Sequence, residues 1–224
     1  MIRAALVIAR KDLRLVLGGG VGLAQPVLLG LLLIFVFSLS RPPGELVPPQ
    51  AAAGIFWLAS LFAMVLVFNT VYSLEEHSGA RLALVLAPMP VHAVWLGKAL
   101  AGLALLLIAQ AVFFPAAVAF LGQGVRGGAA QALLGLALAD WGVVVLGALL
   151  GALAQGQAAR ESLLTLLLFP LLVPLLLAGI KVFAACFAGG EGDVAGWLGL
   201  AGAFDALFTG AALILFPFVY GGEE

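Results

Sequence analysis

Six long apolar stretches constrain the fold more than any other feature of this sequence. Each is close to or above the ~20 residues that a helix needs to cross a bilayer. The chain is 64% hydrophobic and 9% charged, whereas soluble domains are about 45–50% apolar and about 25% charged. We therefore predict an all-α polytopic membrane protein, a single domain over residues 1–224 whose surroundings are the lipid bilayer. The predicted spans are 21–39, 51–73, 98–121, 129–153, 162–186 and 196–220.

The segment 1–17 has the pattern of an amphipathic helix that lies along the membrane surface. Arg3, Arg10 and Arg14 fall within about 40° of one another at 100° per residue, and Lys11 lies beside them. Aliphatic residues occupy the other faces. We expect this interfacial helix to turn its cations toward anionic headgroups.

The loop 74–98 holds a short apolar run, 80–87, which is far too short to cross a membrane. Ser73 and Glu76 form an S-x-x-E pair, which predicts a helix start at this point. Pro88 and Pro90 end the run because proline lacks a backbone donor and clashes with the preceding turn. We therefore expect a short helix in the loop that docks on another protein.

The distribution of lysine and arginine predicts which side of the membrane each loop faces. With six spans, one side carries seven cations and the other carries three, which places both termini and the 74–98 loop in the cytoplasm. The seven are Arg3, Arg10, Lys11, Arg14, Arg81, Lys98 and Arg160, and the three are Arg41, Arg126 and Lys181.

The sequence carries no motif for ATP hydrolysis or metal binding. It contains no Walker A pattern, since Gly97-Lys98 is followed by Ala99 and lacks the upstream glycine. His77 and His92 have no metal-ligand spacing. The net charge of −1 gives no indication of a nucleic-acid partner. We expect neither an enzyme nor a directly bound cofactor or metal, so any ATP use belongs to a partner subunit.

Asp140 and Asp205 lie inside predicted spans, where a charge costs about 2.5–3.5 kcal/mol or more. Either carboxylate has a functional role, or it is held by an interhelical hydrogen bond to a group such as Trp141 or Thr209. A G-x-G-D sequence ends at Asp193, and with Asp140 it leaves an intramembrane aspartyl protease as a distant alternative.

Gly147 and Gly151 form a small-x-x-x-small pattern in the fourth span. Such a pattern lets helices approach closely. It fits either a tightly packed bundle or a dimer face.

Several stretches, taken in order along nearly the whole chain, resemble the CcmB family of ABC-2-type exporter permeases, which belongs to the haem exporter system of cytochrome c maturation. They are Lys11-Asp12-Leu13-Arg14; Gly54-Ile55-x-Trp57 with Phe62 and Asn69; Glu76-x-x-Gly79 with Pro88 and Gly97-Lys98; Arg160-Glu161-x-Leu163-Leu164; Phe169-Pro170-Leu171-Leu172-Val173-Pro174; Phe204-Asp205-x-Leu207-Phe208; and Glu223-Glu224.

The resemblance implies a permease of the bacterial inner membrane that transmits ATP-driven motion from a CcmA-like ATPase. It also implies CcmC- and CcmD-like membrane partners, a homodimer within the complex, and haem as the candidate cargo. A lipid, glycan or drug as cargo, and a passive scaffold, are the alternatives that stay open.

On this interpretation the loop helix is the coupling helix, which docks on the ATPase in helix-in-groove fashion. Glu75, Glu76 and Arg81 are expected to touch the ATPase, and Leu82, Val85 and Leu86 to fill a groove on it. The remaining expected coupling residues are Gly79 and Pro88.

Overall fold

The computed structural model describes residues 1–18, 22–42, 45, 47–155, 160–190 and 193–221, and this part of the chain forms eight helices and no strand. The helices are α1 (Ile2–Gly18), α2 (Ala24–Leu39), α3 (Pro49–His77), α4 (Ala80–Leu86), α5 (Val91–Phe120), α6 (Ala129–Leu153), α7 (Arg160–Ala188) and α8 (Val194–Gly221).

Hydrogen bonds between helix ends and loops that lie far apart in the sequence define two ends of the bundle. At one, Ser38 donates to the carbonyl of Phe120, and Gln123 donates to the carbonyl of Val47. At the other, Tyr220 donates to Glu75. We call the second the terminal end, because it holds α1 and the last turn of α8, and the first the far end. Helices α2, α3, α5, α6, α7 and α8 run alternately between the two ends.

Five of these helices are long and apolar enough to cross a membrane, which agrees with a multi-pass membrane protein. They are α3, α5, α6, α8 and the part of α7 from Phe169 to Ala188. The first predicted span is different: α2 has 16 residues, or about 24 Å at 1.5 Å per residue. The hydrocarbon core is about 30 Å thick, so the count of six spans stays a prediction.

Glycines in α6 bring this helix against α3. A methyl group added at Gly147 would overlap the ring of Phe68, and one added at Gly151 would overlap the ring of Tyr72. Both rings are fully buried. The small-x-x-x-small pattern therefore serves packing inside the bundle.

Helix α1 lies across the terminal end and packs mainly on α5. Its buried residues recur at helical spacing, and they are Ala5, Ile8, Ala9, Asp12 and Val16. A side chain added at Gly97 of α5 would collide with α1. Arg3, Arg10 and Arg14 lie exposed on the other face. Part of the aliphatic surface of α1 thus contacts the bundle and is not free to face lipid.

The loop between α3 and α5 contains the short helix predicted from its prolines. Helix α4 begins after Gly79, whose φ of +66° is left-handed and suits glycine, and it ends at Leu86 before Pro88. The predicted capping pair is wrong. Helix α3 continues to His77, so Ser73 and Glu76 lie within its last turns and do not cap a new helix.

Candidate functional site

A buried ion cluster joins α1, α3 and α5 at the terminal end. The ammonium of Lys98 is fully buried and pairs with the carboxylates of Glu75 and Asp12, the second at 3.7 Å. Lys11 approaches Asp12 at 2.8 Å. The two ammonium groups balance the two carboxylates, so the cluster carries no formal net charge.

Residues at the ends of two further helices, α6 and α8, donate hydrogen bonds to the carboxylate of Glu75. The hydroxyl of Tyr220, in the last turn of α8, donates to Oε1 of Glu75 at 2.5 Å. Gln155, just after α6, donates to the same oxygen at 3.4 Å. Glu75 therefore ties the ends of α6 and α8 to the ion pair between α3 and α5.

The ring of Tyr72 covers Lys98, whose Nζ lies 4.4 Å from the ring centroid. A cation this close to an aromatic face is attracted to it. The Tyr72 hydroxyl donates to the carbonyl of Ala148 in α6 at 2.5 Å. The same side chain thus shields the cluster and fixes α3 against α6.

The short helix α4 contacts this cluster through Arg81. The Arg81 guanidinium lies 5.6 Å from the centre of the Tyr220 ring and donates to the Tyr220 carbonyl at 3.4 Å. A chain of contacts therefore runs from α4 through Tyr220 and Glu75 to Lys98.

The outer face of α4 is apolar and exposed. Leu82 is 67% exposed and Leu86 is 74% exposed, and their i, i+4 spacing places them on one face. Leu84 and Val85 pack against the bundle core. Val85 is thus half-buried inside the molecule and does not share the exposed face that the sequence assigned to it.

The expected contacts of Glu75 require correction. The sequence placed Glu75 on a docking surface, whereas the structure buries it at 1% exposure within the ion cluster. It faces inward because α3 continues past residue 73, which turns residue 75 toward α5. Glu76, Gly79 and Pro88 are exposed.

Asp140 is held by a side chain that the sequence analysis did not identify. Gln110 of α5 donates to Asp140 Oδ1 at 2.8 Å, and both residues are buried. Asp140 stands 11 residues after the start of α6, about 16 Å along the helix. Asp140 therefore has an interhelical hydrogen bond, but its donor is the amide of Gln110 and not the indole or hydroxyl that the sequence suggested.

Asp205 has no comparable partner. It is 7% exposed, and its carboxylate oxygens accept no hydrogen bond in the part of the chain that the structure describes. Trp141 and Thr209, the predicted partner types, instead bond to each other at 3.1 Å.

Asp193 and Asp140 do not form the dyad that a protease requires. Asp193 is exposed just before α8, where its side chain accepts a hydrogen bond from the backbone N–H of Gly196 at 3.2 Å. Asp140 lies about 16 Å from the far end of its helix. The described residues also contain no cluster of His, Cys, Asp and Glu that could hold a metal ion.

Asp12, Tyr72, Lys98, Gln155 and Tyr220 were not identified as site residues from the sequence. One signal for them was present: the sequence has only two tyrosines, Tyr72 and Tyr220, and each lies at the end of a predicted span. Polar side chains at the ends of apolar helices were another. Neither signal alone pairs residues that lie so far apart in sequence.

Comparison with known proteins gives the family. The sequence profile of the family described as "CcmB protein" matches residues 3–222. Heme exporter protein B of Rhodobacter capsulatus is 37% identical over 93 residues, which is 41% of this chain and 42% of that protein. Heme exporter protein B of Escherichia coli K12 is 32% identical over 106 residues, 45% of this chain and 48% of that protein. These alignments span less than half the length of the curated relatives. Since the family profile covers almost the whole chain, this protein belongs to the CcmB family.

Proposed function

We propose that this chain is the permease subunit of an ABC-type complex that exports or delivers haem for cytochrome c maturation. Its role is to convert the motion of a separate CcmA-like ATPase into movement of its own helices. The observation that carries the proposal is the exposed apolar face of α4, which is connected through Arg81 and Tyr220 to the buried ion cluster.

Helix α4 suits a coupling element because it offers an anchor and a rigid connection together. Leu82 and Leu86 are exposed anchors of the type that an amphipathic helix places in a groove. Arg81 bonds to the backbone of α8. Force applied to α4 therefore reaches a spanning helix directly.

The proposed complex lies in the bacterial inner membrane and contains CcmC- and CcmD-like partners and two copies of this chain. Six helices cross the membrane, counting α2, and both termini and α4 face the cytoplasm. Arg3, Arg10 and Arg14 are exposed at the terminal end, where they suit contact with anionic headgroups. ATP is hydrolysed by the partner, and haem is the proposed cargo.

The decisive experiment has two readouts in a strain that lacks the native gene. Covalent haem attachment to a reporter cytochrome c is measured, and the ATPase retained with the tagged chain is identified from native membranes. Wild type should restore attachment and retain the ATPase. Leu86→Asp should lose both, whereas the control Leu6→Asp, on an exposed residue of α1 at the same end, should lose neither.

Two outcomes would contradict the proposal. Retention of the ATPase by Leu86→Asp at the wild-type level would show that α4 is not the docking element. Normal haem attachment without this chain would remove the proposed cargo and leave export of a lipid, glycan or drug. Leu86 is preferred to Gly79 for this test, because any side chain at Gly79 strains a backbone with positive φ.

A further inference from the structure

An apolar cleft opens on the side of the bundle near its far end. It lies between α5, α6 and α7, with one wall from α3, and has a volume of about 420 Å³. Four phenylalanine rings line it, those of Phe56, Phe114, Phe183 and Phe187. Gln110 also lines it, but the Gln110 side chain is 3% exposed and donates to Asp140. The surface that the cleft presents is therefore hydrocarbon.

The cleft opens sideways, toward the region where acyl chains lie. Its rim residues Leu107, Leu133 and Val125 are 44%, 67% and 51% exposed. Water needs two to four polar partners to occupy such a site. An empty cleft would forfeit dispersion contacts along its whole lining. Lipid hydrocarbon is the one component of the surroundings that fills it favourably.

The cationic residue Arg126 lies at the far end of the same cleft. The backbone N–H groups of Arg126 and Gly127 donate to the carbonyl of Cys186 at 3.1 and 3.3 Å, and Cys186 lines the cleft. These bonds fix the loop across the end of the cleft. The Arg126 side chain is exposed and forms no ion pair with any residue that the structure describes.

We propose that the cleft binds one acyl chain of an anionic phospholipid, whose phosphate is held by Arg126. Apolar walls within the bilayer and a guanidinium at their headgroup end match the two parts of this ligand. Arginine binds phosphate through charge-assisted hydrogen bonds, which are about twice as strong as neutral ones. A zwitterionic lipid carries a compensating ammonium, so the anionic lipid binds more tightly. The inference does not depend on the proposed transport function.

The test uses the full chain in nanodiscs that contain phosphatidylglycerol and phosphatidylcholine with identical acyl chains, followed by native mass spectrometry of the released protein. The wild-type protein should retain phosphatidylglycerol in preference to phosphatidylcholine. Arg126→Gln should reduce that preference roughly tenfold, as expected for one charge-assisted bond, while Arg41→Gln in another far-end loop leaves it unchanged.

Ala132→Phe fills the cleft and should abolish retention of either lipid, whereas Ala130→Phe, outside the lining, should not. If Ala132→Phe lowers the melting temperature in detergent, Ala111→Phe at the exposed rim replaces it. Equal lipid retention by the cleft-filled variant and wild type would overturn the proposal. An unchanged lipid preference in Arg126→Gln, or a bound haem pigment in place of phospholipid, would overturn it as well.

Discussion

Removing the charge of Lys98 should destabilise the bundle far more than removing an exposed cation. At an effective dielectric constant of about 20, a unit charge pair at the 3.7 Å separation of Lys98 and Asp12 interacts by about 4.5 kcal/mol. Lys98→Met keeps the length of the side chain but leaves Asp12 and Glu75 buried with only Lys11 as counter-charge. Breaking a buried pair from one side costs about 3–5 kcal/mol, and we expect a loss in this range.

A double-mutant cycle separates the ion pair from simple loss of packing. Glu75→Gln alone should also destabilise, because Lys98 then retains only Asp12. The variant that carries both substitutions should lose about 0.5–3 kcal/mol less than the sum of the single losses, which is the coupling expected for residues in direct contact. The free energy of unfolding is measured by SDS titration in mixed micelles, followed by the fluorescence of the four tryptophans.

The chain contains a matched control for this cycle. Arg41 and Glu45 also pair at 3.7 Å, but their side chains are 35% and 61% exposed. Solvent screening reduces such pairs to about 0–1 kcal/mol, so Arg41→Met with Glu45→Gln should show little coupling. Strict additivity at Lys98 and Glu75, or equal coupling in the two cycles, would refute the assignment of a buried ion cluster.

Two further sets of variants test the packing and the intramembrane polar pair. Gly151→Ala should destabilise the chain by about 1–3 kcal/mol in the same unfolding assay, because the added methyl displaces the Tyr72 ring. The control Gly202→Ala, whose added methyl meets no atom within 4 Å, should cost nothing. Equal effects of the two substitutions would contradict close packing of α6 on α3. Gln110→Leu should cost about 1–3 kcal/mol by leaving Asp140 without its donor, and adding Asp140→Leu should recover most of that loss. If the variant with both Gln110→Leu and Asp140→Leu is stable but does not support haem attachment to the reporter cytochrome, Asp140 has a functional role. If that variant supports attachment at the wild-type level, the role of Asp140 is structural.

The fold was largely predictable because its strongest signals are local. Apolar length identified the five long spans, and Pro88 and Pro90 fixed the end of α4. The end of α3 was misplaced because Ser73 and Glu76 also satisfy a capping pattern. Residues 74–77 are compatible with a helix, and helix α3 ends only at His77, just before Gly79 adopts a positive φ.

The candidate site was less predictable because its chemistry depends on which charges are buried. Sequence reasoning treats a lysine at the end of a span as a cation in the cytoplasmic layer, and Lys98 was counted in that way. Its neutralisation requires Asp12 from α1 and Glu75 from α3, and only the packing of both α1 and α3 against α5 brings these residues together. No local pattern encodes that contact.

The burial of Lys98 also bears on the predicted orientation. A fully buried lysine that is paired with carboxylates contributes little to the charge that a loop presents to the membrane surface. Without it, six cations remain at the terminal end against three at the far end. The terminal end therefore still carries more cations than the far end. Half of its remaining six are Arg3, Arg10 and Arg14 of α1, which are exposed. The proposed cytoplasmic position of α4 therefore rests on exposed arginines, while Lys98 acts in the connection between α4 and the bundle.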